Sequence, residues 1–163
     1  MVATIPVPIQ FSLPEGWRSV PPDQAGAPGA AFVALHPPAS QGFTANITIS
    51  GELHADDVPL TQIADDAVDR LRAGAREVQL GRRSEVGSPA SPGLTQAVRL
   101  SVLINGAPAE IVQFQVFLAM RDTRDPRRRA VLHVVLSSLP EQFAGVIDDF
   151  QKFIETIRPE VQQ

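Results

Sequence analysis

Cysteine is absent from this chain of 163 residues. Its absence excludes disulfide bonds, thiolate metal sites and cysteine nucleophiles, and it fits an oxidising compartment as well as a reducing one. No stretch approaches the roughly 20 apolar residues that a spanning helix needs, so we expect no membrane span. The start of the chain lacks the basic and apolar regions of a signal peptide. This predicts a cytoplasmic protein if Met1 is the native start, and an envelope or secreted protein if a signal segment has been removed.

Lysine is also scarce, since Lys152 is the only one, and acidic residues outnumber basic ones so that the formal net charge is −4. A protein that binds nucleic acid needs a basic surface to displace counterions from phosphate, so we expect no nucleic-acid partner. The hydrophobic fraction of 44% is that of an ordinary globular protein. This length is typical of one domain, and we expect residues 1–163 to form a single domain with its core over about 5–157.

Hydrophobic periodicity divides the chain into strands and helices. Apolar residues alternate over 5–13, but Pro6 and Pro8 restrict that strand to the edge of a sheet. Ser138 and Glu141 have the spacing of a helix capping box, and Asn105-Gly106 is typical of a tight hairpin. The predicted elements are strands over 5–13, 30–36 and 43–53, a helix from Leu60 to a stop at Gly74, strands over about 77–86, 94–104, 109–120 and 129–137, and a helix from Ser138 to before Pro159.

The order of these elements, β-β-β-α-β-β-β-β-α, indicates the fold class. Late strands that are joined by short turns must pair antiparallel. The strands over 109–120 and 129–137 are apolar on both faces, which indicates that both faces of the sheet are covered. We therefore expect an α+β protein in which an antiparallel sheet of six to seven strands is flanked by helices, an α/β/α sandwich.

The segment Phe11-Ser12-Leu13-Pro14-Glu15-Gly16-Trp17, together with this element order and the capped last helix, resembles the PsbP/Mog-like superfamily. The arginine-rich composition and the spacing most resemble its actinobacterial LpqN/LpqT-type lipoprotein domains, although their lipobox cysteine is absent here. The resemblance implies a PsbP/Mog-like fold and a non-enzymatic binding or assembly role. Relatives include an assembly subunit of a photosynthetic complex, a small-GTPase cofactor and chaperones of secreted effectors. It implies no catalytic residues and no cofactor.

Side chains that could carry chemistry are scattered along the chain. His36, His54 and His133 match no metal-binding spacing; we expect the first two to be exposed and the third to be a structural residue of an apolar strand. A zinc site would require these histidines to converge with a carboxylate such as Asp56 or Asp57. The sequence contains no serine elbow and no phosphate-binding loop. We therefore predict no catalytic site, no metal site and no enzymatic activity.

Two polar surfaces are candidates for binding a partner. One is a basic hairpin tip, which is either a docking patch for an acidic partner or a solvated turn with internal Arg–Asp pairs. The other is the polar face of the strand over 43–53, which is either plain solvent-facing sheet or a concave face that receives a partner. The candidate residues are Arg121, Arg124, Arg127, Arg128 and Arg129 at the tip, and Thr44, Asn46, Thr48 and Ser50 on the strand.

These observations predict a non-catalytic module whose partner is another protein, for example a chaperone or an adaptor, and a homodimer is compatible with them. The alternative is a carrier or sensor of a small apolar ligand; an enzyme is the third hypothesis. A protein binder should expose an apolar patch of more than a few hundred Å². A carrier should enclose an apolar pocket of roughly 300 Å³ or more. An enzyme should bring polar groups with perturbed pKa values together in a cleft.

Overall fold

A seven-stranded antiparallel sheet dominates the computed structural model, which describes residues 5–27, 29–89, 91–122 and 124–159. The strand order is β2-β3-β4-β8-β7-β6-β5, and β1 and β9 form a separate two-stranded sheet. This confirms the predicted α+β class and strand number. The elements are β1 (Ile9–Gln10), β2 (Arg18–Val20), β3 (Phe32–Ser40), β4 (Phe43–Ala55), α1 (Leu60–Gly74), β5 (Glu77–Ser88), β6 (Ser91–Ile104), β7 (Ala107–Arg121), β8 (Arg128–Ser138), α2 (Pro140–Thr156) and β9 (Arg158–Pro159).

The two helices pack on opposite faces of the sheet. Val116 of β7 packs with Phe150 of α2, whereas the next residue, Phe117, packs with Ala64 of α1. Because successive strand residues point to opposite faces, the two contacts place α1 and α2 on different sides. We call these sides the α1 face and the α2 face. The arrangement confirms the predicted α/β/α sandwich.

The two helices do not lie directly opposite one another. Helix α1 packs mainly over β5 and β6, while α2 packs over β8, β7 and β4. Strand β4 is therefore covered on its α2 face, where Ile47 and Ile49 are fully buried. On its α1 face it carries polar, half-buried residues such as Thr48 and Ser50. This offset leaves an uncovered part of the sheet beside α1.

The prediction of an edge strand over 5–13 was wrong about pairing. The alternation is present, and Ile5, Ile9 and Phe11 pack on the core under α2. Only Ile9–Gln10 is a strand, and it pairs with β9 outside the main sheet. The prolines at 6 and 8 have no N–H group, so a longer ladder cannot form. The edge position next to β3 is occupied by β2 instead.

Local sequence signals can be checked at the β6–β7 hairpin and at the junction of β8 with α2. Asn105 and Gly106 both have positive φ, 51° and 81°, which confirms the predicted tight turn. The predicted capping box was one residue out of place. Ser138 still belongs to β8, and the N-cap is Leu139, whose N–H donates to Gln142 Oε1 at 2.9 Å.

In the described ranges, no helix is long and apolar enough to cross a membrane.

Candidate functional site

A solvent-open trough of about 450 Å³ lies on the α1 face of the sheet. Strands β4, β8 and β7 form its floor, α1 forms one wall, and Gly29 lies at its rim. Arg70 projects from the helix wall, and Glu52 lines the trough on β4. The polar residues of the floor are Thr48, Ser50, Gln113, Gln115, His133 and Ser137.

Strand register brings these floor residues together from distant parts of the sequence. Ser50 of β4 lies directly opposite His133 of β8, and Thr48 lies opposite Val135. Ser137, two residues further along β8, lies opposite Gln113 of β7. The polar alternation of β4 therefore continues across two more strands. It is this continuation, and not β4 alone, that makes the surface a trough.

A chain of side-chain hydrogen bonds runs under α1 and ends in the trough; we call it the amide relay. Arg83 Nε of β5 donates to Gln96 Oε1 of β6 at 2.9 Å. Gln96 Nε2 donates to Gln115 Oε1 of β7 at 2.7 Å. Gln115 Nε2 donates to Gln113 Oε1 at 2.9 Å. Gln113 Nε2 donates to Ser137 Oγ of β8 at 3.2 Å.

The direction of the amide relay is determined at its Arg83 end. A guanidinium can only donate, so Gln96 must present its oxygen to Arg83 and its nitrogen to the next amide. Gln96 Nε2 also donates to the carbonyl oxygen of Ala64 at 3.3 Å, which requires the same orientation. Asp65 holds Arg83 in place through an ion pair of 2.7 Å. Ser137 Oγ is therefore an acceptor within the relay, and its own hydroxyl hydrogen is not used there.

His133 occupies the middle of the trough floor. Its ring stacks on Phe117 with a centroid distance of 4.4 Å and an interplanar angle of 9°. Its Nε2 atom is buried and has no hydrogen-bond partner among the described residues. Burial, and to a smaller extent the charge of Arg70, lower the pKa of His133 from 6.5 to about 4. The imidazole is therefore neutral at pH 7.

The lowered pKa of His133 predicts a loss of stability in acid. Between about pH 6.5 and about pH 4 the unfolded imidazole binds a proton that the folded one does not. The free energy of unfolding should therefore fall as the pH decreases through this window, and His133→Gln should remove most of that fall. Urea denaturation at several pH values measures it, with His54→Gln as the control. Parallel losses in the wild type and His133→Gln would show that burial of this imidazole is not the cause.

The structure pairs two of the five arginines at the predicted basic tip with aspartates. Arg127 Nε contacts Asp125 Oδ1 at 3.2 Å, and Arg128 lies 3.5 Å from Asp125 and 3.6 Å from the buried Asp122. Hydrogen bonds from the backbone and side chain of Arg127 lower the pKa of Asp125, which keeps it ionised. Arg129 instead donates to the carbonyl oxygen of Val58 on the loop before α1. Asp122 and Asp125 thus neutralise part of the expected positive charge locally.

The remaining candidate residues fall into two groups. Arg121 and Arg124 are exposed and have no ion-pair partner in the described part of the chain. Thr44 and Asn46 continue the polar face of β4 beyond Thr48, where Asn46 Nδ2 donates to the carbonyl oxygen of Thr44 at 3.0 Å. The structure therefore brings Thr48 and Ser50 into the trough and leaves the arginine tip as a separate surface.

The prediction that the other two histidines are exposed was wrong, because both are half-buried. His36 is half-buried because its ring packs on Trp17 at a centroid distance of 4.9 Å. His54 is half-buried beside Glu52, and their Nε2 and Oε2 atoms are 3.3 Å apart. Among the residues that the structure describes, no group of three or more His, Asp or Glu side chains is placed to hold a metal ion.

Sequence reasoning missed most of the trough. A signal was nonetheless present on the α1 face of β7, where glutamines interrupt an apolar series that runs from Ile111 to Phe117. Polar residues at inward positions of a two-sided strand need internal partners, so such interruptions point to a buried polar network. Arg70 gave no signal, because it looked like any charge on a solvated helix face. The residues missed are Arg70, Arg83, Gln96, Gln113, Gln115 and Ser137.

No protein-family model and no curated protein matches the sequence. Among solved structures, LpqN of Mycobacterium tuberculosis, described as involved in cell envelope biogenesis, is similar with a TM-score of 0.65 and 17% identity, covering 93% of this chain and 83% of that chain. CyanoP, the cyanobacterial PsbP of Synechocystis, has a TM-score of 0.58 and 16% identity over 93% and 86% of the two chains. The Ran-binding protein Mog1p of Saccharomyces cerevisiae has a TM-score of 0.56 and 11% identity over 93% and 89%. These similarities confirm the predicted PsbP/Mog-like fold.

Proposed function

We propose that this chain, which has the PsbP/Mog-like fold, is a non-catalytic protein-binding module that receives a segment of a partner protein in the trough. The amide relay is the observation that carries the proposal. It fixes the orientations of Gln113, Gln115 and Ser137 before any partner arrives, so their ordering costs little when a partner binds. Hydroxyl and amide groups on a sheet surface match the donors and acceptors of a polypeptide backbone.

The comparisons support a binding role in general terms. One similar structure is a Ran-binding protein, and another is involved in cell envelope biogenesis. A chaperone or an adaptor is the form of binding module that we infer for this chain. In the described part of this chain, the exposed large apolar residues are distributed over three strands and form no single patch. They are Leu53 on β4, Leu80 and Val86 on β5, and Leu103 on β6. We therefore place the partner in the polar trough and not on an apolar patch.

The two other hypotheses have less support in the described residues. An apolar ligand carrier needs an enclosed pocket, whereas the apolar cleft beside Phe143 and Leu80 is open to solvent. An enzyme that uses His133 as a base needs an acid to orient it. Among the residues that the structure describes, Glu52 is the one carboxylate that lines the trough, and it lies against His54 instead.

The proposal predicts that a partner can be crosslinked from the trough. A photoreactive residue introduced at Glu52, which is exposed beside the trough, should capture that partner in the native host. The same residue at Gln79, exposed on the α2 face, should not. Mass spectrometry identifies the crosslinked protein, and binding is then measured with the purified pair.

Ser50→Phe should weaken that purified pair by at least about tenfold, because the larger uncharged side chain fills the trough floor. Gln79→Phe adds the same bulk on the α2 face and should leave affinity unchanged, and the melting temperatures of both variants report on folding. Equal crosslinking from both positions, or an unaltered affinity of Ser50→Phe, would contradict binding in the trough.

A further inference from the structure

We propose that the trough recognises an acidic segment in extended conformation, with a side-chain carboxylate at Arg70 and a backbone carbonyl at Ser137. This inference rests on the proposed function, since it names the chemistry of the partner at the same site. The direction of the amide relay, the charges that line the trough and the spacing between the two donor points support it.

The first donor point is the Ser137 hydroxyl. Every hydrogen bond of the amide relay donates toward Ser137, starting from a cation at Arg83. Hydrogen bonds that run in one direction polarise one another, so the last hydroxyl becomes a better donor. Among the described residues no acceptor takes its hydrogen, and Ser137 lines the trough. The group that completes it must be an acceptor, such as a carbonyl oxygen.

The second donor point is the guanidinium of Arg70. Arg70 is exposed on the wall of the trough and has no ion-pair partner among the described residues. Within the described part of the chain it is the only cation that lines the trough, because His133 is neutral. Glu52 also lines the trough, but it lies 3.3 Å from His54. A carboxylate of the partner is therefore the group that best complements Arg70.

The distance between these points favours a polypeptide over a small carboxylic acid. Arg70 lies beside His133, since the two side chains also line one small cleft together with Ser50. Ser137 lies four residues beyond His133 along β8, about 13 Å at the rise of a strand. A small acid can occupy one of the two points. An extended segment of about four residues covers both, because it has the same rise as the strand beneath it.

Two peptides test this directly. The first is an acetylated and amidated hexapeptide of alternating glutamate and alanine; the second has glutamine in place of glutamate. NMR titration of the isotope-labelled protein at low salt should show shifts of the Gln113 and Gln115 side-chain amides. The glutamate peptide should bind about threefold tighter, which is typical of an exposed ion pair.

Matched variants separate the two donor points. Arg70→Gln should remove the preference for the glutamate peptide, and Arg70→Lys should retain it. Ser137→Ala should weaken both peptides by about fivefold, because both offer a carbonyl, whereas Ser137→Thr keeps the hydroxyl. Glu52→Gln should strengthen only the glutamate peptide, because it removes a like charge.

Equal binding of the two peptides, or a preference that survives Arg70→Gln, would overturn the acidic-segment inference. Absence of shifts at the trough with either peptide would overturn it too. In both cases a partner that is crosslinked from position 52 and is sensitive to Ser50→Phe would leave the proposed function standing. Peptide binding without any crosslinked partner would support the chemistry of the site and contradict the protein-binding role.

Discussion

Replacing Gln96 with leucine is expected to lower the free energy of unfolding by about 2–4 kcal/mol. Gln96 is fully buried at the centre of the amide relay. Its removal leaves the acceptor oxygen of Gln115 and the Nε donor of Arg83 without their partner, and each buried unsatisfied group costs about 1–3 kcal/mol. Leucine regains part of this by burying apolar surface. Urea denaturation measures the change. Gln79→Leu is the control, because Gln79 is exposed on the α2 face.

A second variant at the same position tests the direction of the amide relay. Gln96→Glu introduces a carboxylate that can only accept, so Arg83 keeps a partner and Gln115 must turn its amide around. Gln113 must then turn as well, and the Ser137 hydroxyl donates inward and no longer toward the trough. We expect this variant to lose affinity for both test peptides, as Ser137→Ala does. A Gln96→Leu protein as stable as the wild type would show that the relay contributes nothing to folding.

Replacing Phe153 with alanine is expected to cost about 3–5 kcal/mol, the usual range for a fully buried phenylalanine. Phe153 of α2 contacts Phe11 at a centroid distance of 5.2 Å and Phe32 at 6.4 Å. It therefore joins the N-terminal segment, the sheet and α2 in one cluster. Its loss should also release the segment before β2, because only Ile9 and Gln10 tie that segment by strand pairing.

Thermal melting measures the stability loss, and hydrogen exchange of residues 5–13 measures the release. Phe143→Ala, on the same helix but only partly buried, is the control and should cost less. Because the trough lies on the α1 face, the peptide affinities of Phe153→Ala should be retained at a temperature where it stays folded. Protection of residues 5–13 that equals the wild-type value would contradict the role of this cluster.

Much of the fold follows from short-range periodicity. The four strands from β5 to β8 lie where alternation and turn signals predicted them, because hairpin register depends on residues that are close in sequence. The first segment differs, since its alternation was correct but its pairing partner is β9, where Gln10 pairs with Arg158, 148 residues away. The capping signal failed for a similar reason: Ser138 is held by Val112 of β7 and cannot turn toward the helix.

Part of the candidate site was visible in the same way. The polar face of β4 was predicted from alternation, and Thr48 and Ser50 do line the trough. The arginine tip was equally visible, but its pairing with Asp122 and Asp125 depends on hairpin geometry. Arg70 carries no pattern of its own, since only the packing of α1 decides that it faces the trough.

By itself the sequence determined which residues alternate, where helices begin and end to within a residue or two, and that the sheet is covered on both faces. Those properties depend on neighbours a few positions apart. Only the tertiary structure decided that α1 covers β5 and β6 and leaves β4 open, and that glutamines from two strands meet a serine from a third. The reason is physical: hydrogen bonds between side chains across strands depend on register and helix placement, which are set by the packing of the whole core.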